Sequence, residues 1–234
     1  MENVRTIKNA FDHGKAFIPF ITAGDPDLES TKKFILAMEK AGADLIEIGI
    51  PFSDPIAEGI VIQEADIRAL ASGTTTDKIF DMVAEVRKET DMPLVFMGYL
   101  NPVFYYGYER FFARCEEVGI SGVIIPDLPF EEKGECVDIA AAHGVDVISM
   151  IAPTSESRIK MIAAKADGFI YVVSSMGVTG MRFTDPDDEV ITLALDIQGE
   201  DILFATENGM GKRTRFSEFN AQHRGGKGVI CYKV

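Results

Sequence analysis

The sequence predicts a parallel α/β fold over residues 1–182, followed by a short antiparallel β segment over residues 183–234. Three observations lead to this. Six short runs rich in Val, Ile and Phe, at residues 17–22, 45–49, 94–98, 122–126, 145–150 and 168–173, mostly lack polar alternation, as expected of strands covered on both faces. Amphipathic stretches lie between them and return the chain to the next strand, giving successive βα units. Beyond Arg182 that rhythm stops: β-like runs at 190–195, 201–206 and 228–234 follow with a turn signal, Glu207-Asn208-Gly209, and no amphipathic helix joins them. Six βα units at this pitch fit an eight-stranded barrel that lacks its last quarter, and equally an open doubly wound sheet.

Taken in order, the first helix follows Asp27, an N-cap residue, with Phe34, Met38 and Ala41 on one face. The interval from 51 to 93 is longer than the others and has room for a functional loop and two helices. One of these follows Asp77, with Ile79, Val83 and Val86 on one face. Gly42, Gly119 and Gly144 each come just after a helical stretch, where a left-handed C-cap is wanted.

Composition limits the function classes. Hydrophobic residues at 47% and charged residues at 26% describe an ordinary soluble globular chain. No apolar run approaches the roughly 20 residues needed to cross a bilayer, and Arg5, Lys8, Asp12, His13 and Lys15 interrupt any leader-like stretch. Cys115, Cys136 and Cys231 are scattered and lack CxxC spacing, which fits reduced thiols in the cytoplasm and no zinc site. The net charge of −14 argues against nucleic acid as the partner of the whole chain. Its distribution is uneven: residues 183–207 hold eight acidic and no basic side chains, whereas 208–234 hold six basic and one acidic.

Glu47 is the first candidate for chemistry. In a strand over 45–49, alternation puts Leu45, Glu47 and Gly49 on one face and Ile46, Ile48 and Ile50 on the other. The Ile face suits helix packing, so Glu47 is expected to point into the barrel or cleft. Desolvation there raises a carboxyl pKa toward the range in which it moves protons at neutral pH. Residues 51–59 form the loop at the C-terminal end of that strand and carry Ser53, Asp54 and Glu58. Asp54, before Pro55, reads as a turn organiser; Glu58, beside Gly59, is either a second carboxylate facing the cleft or a solvated loop charge. Four further strand ends are polar: Gly24-Asp25-Pro26, Tyr99-Leu100-Asn101-Pro102, Asp127-Leu128-Pro129 and residues 174–180. With the 51–59 loop they predict an active-site rim on one face, and Gly177 and Gly180 around Thr179 have the composition of a mobile lid. There is no GxGxxG after a strand, no P-loop and no HExxH. His13 and His143 are expected on helix surfaces.

Those residues give the first part a resemblance to the alpha subunit of tryptophan synthase. It is carried by Ile46-Glu47-Ile48-Gly49-Ile50-Pro51-Phe52-Ser53-Asp54-Pro55-Ile56-Ala57-Glu58-Gly59, by Pro19-Phe20-Ile21-Thr22-Ala23-Gly24-Asp25-Pro26, by Gly98-Tyr99-Leu100-Asn101-Pro102, by Pro126-Asp127-Leu128-Pro129 and by residues 174–180. The resemblance implies a TIM (β/α)8-type barrel, here truncated after about six βα units. It also implies aldol cleavage of indole-3-glycerol phosphate to indole and glyceraldehyde 3-phosphate without metal or organic cofactor, and a beta-subunit partner that uses the indole. Carried over, Glu47 is the general acid/base, Glu58 addresses the indole nitrogen, Phe20, Met97, Tyr99 and Tyr171 line the indole pocket, and Thr179 lies on the closing loop. Ile60 stands where the family usually has Pro. The family's seventh and eighth strands, with their phosphate-binding loops, are not recognisable after Arg182, which predicts weak substrate anchoring.

Residues 183–234 instead resemble the C-terminal β-pinwheel domain of the DNA gyrase A protein. The string runs from Asp201-Ile202-Leu203-Phe204-Ala205-Thr206-Glu207-Asn208-Gly209 through Lys212-Arg213-Thr214 to Gln222-His223-Arg224-Gly225-Gly226-Lys227-Gly228. This resemblance implies a chimera joined near residues 177–182. About one blade is covered, so weak DNA contact through Lys212, Arg213, Arg224 and Lys227 is the most it implies.

Overall fold

The computed structural model describes residues 6–173, 201–205 and 211–215. Its contacts fall into two units, Met1–Thr179 and Gly180–Val234. In the first unit the chain runs β1 (Phe20–Thr22), α1 (Leu28–Lys40), β2 (Ile46–Gly49), α2 (Ile60–Ala71), α3 (Thr76–Val86), β3 (Leu94–Met97), α4 (Leu100–Tyr106), α5 (Tyr108–Val118) and β4 (Gly122–Ile124). It continues through α6 (Val137–Ala142), β5 (Asp146–Val147), β6 (Ser149–Ile151), α7 (Ile159–Ala163) and β7 (Ile170–Val172), with short 3-10 segments ahead of β1, α6 and α7.

Strands β1 to β5 form one parallel sheet in sequential order, and β6 pairs in parallel with β7. Only Ile148 separates β5 from β6, and its N–H donates to the Val123 carbonyl at 2.9 Å. The run expected at 145–150 is therefore one strand, interrupted at Ile148, that pairs with β4 through its first half and with β7 through its second. A doubly wound sheet reverses its strand order at a switch point, and no reversal occurs among the described residues; the winding is that of a barrel wall. Lys133 braces the strand on either side of Ile148. Its Nζ, on a largely buried side chain, donates to the Val147 carbonyl at 2.5 Å and the Ser149 hydroxyl at 3.0 Å.

Two apolar layers flank the wall. Outward-facing Ile46, Ile48, Ile50, Leu94 and Phe96 pack with Ile79, Phe80 and Val83 of α3 and with Phe111, Phe112 and Cys115 of α5. Phe80, Phe96 and Phe111 are fully buried and meet edge to face or tilted, with centroids 5.4–6.2 Å apart, a geometry worth about 0.5–1.5 kcal/mol per pair beyond area burial. Inward-facing Leu45, Val95, Ile124 and Ile148 form the second layer together with Ile7 and Ala10 of the 3-10 segment Ile7–Phe11. Ile7 plugs the N-terminal end: a Cβ on Gly122 would stand 2.8 Å from its Cδ1, so glycine is what lets the plug seat there.

The helix expectations divide. Asp27 caps α1, accepting from the Ser30 N–H at 2.7 Å. The inner face of α1, however, is Thr31 and Ile35, with the expected Met38 partly buried against the same core; Phe34 is 45% exposed and Ala41 is exposed. Thr31 was invisible to a hydrophobic count because its burial is polar and satisfied: its hydroxyl accepts from the Gly24 N–H and donates to the Asp27 carbonyl. In α3 the expected Ile79, Val83 and Val86 are buried, although the N-cap is Thr75 and Asp77 sits in the first turn. β1 is half the length of the run expected at 17–22; Phe17 is exposed and its N–H is held by Asp44. Gly42, Gly119 and Gly144 all take positive φ just past helices. His13 lies in an exposed turn rather than on a helix, and His143 follows α6, bonded to Glu116 and Glu109.

In the second unit β8 (Asp201–Ala205) and β9 (Gly211–Arg215) pair antiparallel, Asp201 opposite Arg215 and Ala205 opposite Gly211. The runs at 190–195 and 228–234 lie outside the described residues, as does Cys231. Cys115 and Cys136 are buried free thiols. Among the described residues no helix is long and apolar enough to cross a membrane, and no His, Cys, Asp and Glu cluster is arranged to hold a metal ion.

Candidate functional site

The pleat of β2 decides where the chemistry faces. Ile46, Ile48 and Ile50 join the outer core and Leu45 the inner one, so Glu47 is set on the inner wall, level with Phe20 of β1 and Val95 of β3. It is 6% exposed. Desolvation among the inner apolar side chains is the one cause acting on its carboxyl, and it pushes the pKa from 4.5 up to about 7. Thr22 stands two positions up the same wall, level with Gly49; its buried hydroxyl has no hydrogen-bond partner among the described residues. A Cβ on Gly49 would stand 2.6 Å from the Phe20 Cζ and 2.9 Å from its Cε2. The missing side chain is the room the Phe20 ring occupies.

Above this wall the chain leaves β2 as the loop 51–59 and enters α2 at its N-cap, Gly59. The loop is held from two sides. The Tyr99 hydroxyl accepts from the Ala57 N–H at 2.8 Å, and the Tyr99 ring lies 5.5 Å from that of Phe52. From α2, Gln63 Nε2 donates to the Glu58 carbonyl at 2.7 Å. Glu58, half-buried, then lines a cavity with Phe20, Gly49, Asp66, Met97 and Tyr99. Tyr171 of β7 belongs to the inner layer with Met97. Burial raises its phenol pKa first, and the charges of Glu47 and Glu58 add to this. Burial also raises Tyr99, to about 12, helped by the charges of Glu58, Asp127 and Asp66 and opposed by the Ala57 N–H.

Glu47, Glu58, Phe20, Met97, Tyr99 and Tyr171 are thus placed at one end of one wall. Thr179, Arg224 and Lys227 lie outside the described residues, and Lys212 and Arg213 are on β9. Three rim groups have scaffold duties. Asp25 makes a two-point ion pair with Arg68 of α2 at 2.8–2.9 Å, Asp127 accepts from the Leu100 N–H at the start of α4 at 2.8 Å, and exposed Asp54 accepts from Ser53. Sequence reasoning missed Asp66 and Gln63. Asp66 is buried on α2 beside Ala65 and Ala69. Its carboxyl rises from 3.8 to about 7 through desolvation, against the Phe52 N–H that lowers it, with the Glu58 charge adding to the rise. A carboxylate inside the small-residue face of a helix was the available signal.

A family model described as tryptophan synthase alpha chain matches residues 7–225. The chain belongs to that family. It is 54% identical over 176 residues to the tryptophan synthase alpha chain of Lacticaseibacillus casei, covering 75% of this chain and 66% of that one. Among solved structures, the tryptophan synthase alpha chain from Legionella pneumophila subsp. pneumophila matches with a TM-score of 0.67 and 40% identity over 74% of this chain and 66% of that one. A chain of the tryptophan synthase a2b2 complex from Pyrococcus furiosus matches with a TM-score of 0.65 and 40% identity over 68% of each chain. The chain spans 63–66% of the length of the first curated tryptophan synthase alpha relatives it matches. The family match supports the barrel reading of the wall, and its residue range runs across the join expected at 182.

Proposed function

We propose that this chain binds indole-3-glycerol phosphate and cleaves it to indole and glyceraldehyde 3-phosphate. The observation that favours this most is Glu47: a carboxyl titrating near 7 on an apolar inner wall, beside flat apolar groups suited to an indole ring. Near neutral pH it is populated in both protonation states, as a group that both gives and takes a proton must be. In this reading Glu47 delivers a proton to indole C3 and takes one from the adjacent glycerol hydroxyl. The carbon–carbon bond then breaks, its electron pair returning to the indole ring while the hydroxyl carbon becomes the aldehyde. Glu58 faces the indole N–H and offsets the positive charge that builds on the ring as C3 is protonated. Phe20, Met97, Tyr99 and Tyr171 flank the ring, and Thr179 belongs to a closing loop. The reading calls on no cofactor.

The beta-subunit partner is part of the same proposal. The segments that follow β2 and β3 expose Ile56 at 51%, Phe104 at 66% and Tyr105 at 91%, large apolar groups on the side where the loops gather, and one of the matched structures is an a2b2 complex. For residues 183–234 the expected gyrase-like blade and its DNA contact gain no support, because the family match runs across the expected join to residue 225.

The test of the enzyme reading is indole release from indole-3-glycerol phosphate by the purified chain, alone and with a beta subunit. Glu47→Gln is expected to lower kcat by about 10²–10⁴-fold while KM changes little. Release that is unaffected by Glu47→Gln would sink the assignment.

A further inference from the structure

We propose that Tyr99 and Gln63 are positioning residues that clamp the backbone on the two sides of Glu58 and so aim its carboxylate; this rests on the reading above, in which Glu58 addresses the indole nitrogen. Two side chains from different elements hold the loop that carries Glu58. Tyr99, 4% exposed at the end of β3, accepts from the N–H of Ala57. Gln63, in the first turns of α2, donates to the carbonyl of Glu58 itself. One grip thus falls a residue before Glu58 and the other directly after its Cα.

The chemistry of the two grips is complementary. As placed, the phenol oxygen accepts an amide proton and the carboxamide nitrogen donates one to a carbonyl. The Phe52 and Tyr99 rings, tilted against each other with centroids 5.5 Å apart, and the Phe52 N–H that bonds to the Asp66 carboxyl hold the start of the same loop. Tyr99 therefore does two things: its ring face borders the cavity, and its hydroxyl sets where the second carboxylate stands. Only the hydroxyl bears on Glu58, so removing it alone separates the two.

The variants are Tyr99→Phe and Gln63→Met, each made in the full chain and again in a Glu58→Ala background, with amide hydrogen exchange and indole release as the readouts. In Tyr99→Phe the Ala57 amide is expected to exchange roughly tenfold or more faster, because it loses a buried acceptor, while the Val95 amide in β3 is unchanged. Both variants are expected to lower kcat in the presence of Glu58 and to change it by less than about twofold in its absence, since an effect transmitted through Glu58 cannot add to its removal. Additive losses would mean that Tyr99 acts only as a pocket wall, and would overturn the proposal. Unchanged exchange at Ala57, or equal acceleration at Val95, would also overturn it. A wild-type chain that releases no indole refutes the proposed reaction instead, and the exchange comparison then decides the clamp by itself.

Discussion

Replacing Glu47 with Gln is expected to stabilise the protein at neutral and alkaline pH, and the size of the gain follows from its burial. The carboxyl titrates near 4.5 in the unfolded chain and about 7 in the fold. That rise corresponds to about 3 kcal/mol of preference for the neutral form. Because the folded pKa is the higher one, the folded state holds a proton that the unfolded state has already released between these two values. Stability relative to the Gln variant is therefore undiminished below about 4.5, falls as pH rises, and is lower by about 3 kcal/mol once pH exceeds about 7. Glutamine keeps the shape without the titration. Asp66 is also raised to about 7 and contributes a slope of the same sign, but it is present in both proteins and cancels in the comparison. The assay is urea unfolding of wild type and Glu47→Gln at half-unit steps from pH 4 to 9. A difference between the two midpoints that stays flat across that range would refute the claim that Glu47 is buried without a charge partner.

Two further substitutions probe the wall and the strand through Ile148. Gly49→Ala places a methyl 2.6 Å from the Phe20 ring and is expected to cost about 1–3 kcal/mol, with part of the loss recovered by shortening Phe20 to Leu; thermal melts of the single and double variants check both. Lys133→Met leaves the Val147 carbonyl and the Ser149 hydroxyl without their buried donor, an expected loss of about 1–3 kcal/mol seen as a lowered urea midpoint.

Much of the barrel wall was legible because parallel strands covered on both faces are apolar throughout, and the Val- and Ile-rich runs stand out against their flanks. The inward aim of Glu47 was legible for the same reason: three isoleucines at alternate positions leave it only one face. The change of partner at Ile148 was not, since nothing in an unbroken apolar run marks it. The inner face of α1 was legible at Met38 but not at Thr31, which is buried through hydrogen bonds rather than apolarity. Strand β9 escaped notice because Lys212, Arg213 and Arg215 give it no hydrophobic pattern. In the site, the rim carboxylates looked alike in sequence. Asp25 and Asp127 prove to be committed to Arg68 and to the start of α4, a distinction made by partners distant in the chain. Asp66 and Gln63 matter through what they touch across a loop, which no local pattern records.

The strand through Ile148 is common to both parts of the wall, with β4 beside its first half and β7 beside its second, and Lys133 brackets it on either side of that residue. Glu47 is mounted on the larger sheet and Tyr171 on the smaller, while Ile148 packs in the inner layer with Tyr171. A change of side-chain volume at Ile148 would shift Tyr171 relative to Glu47 and alter the width left for a bound ring, leaving every group that faces the ring chemically intact.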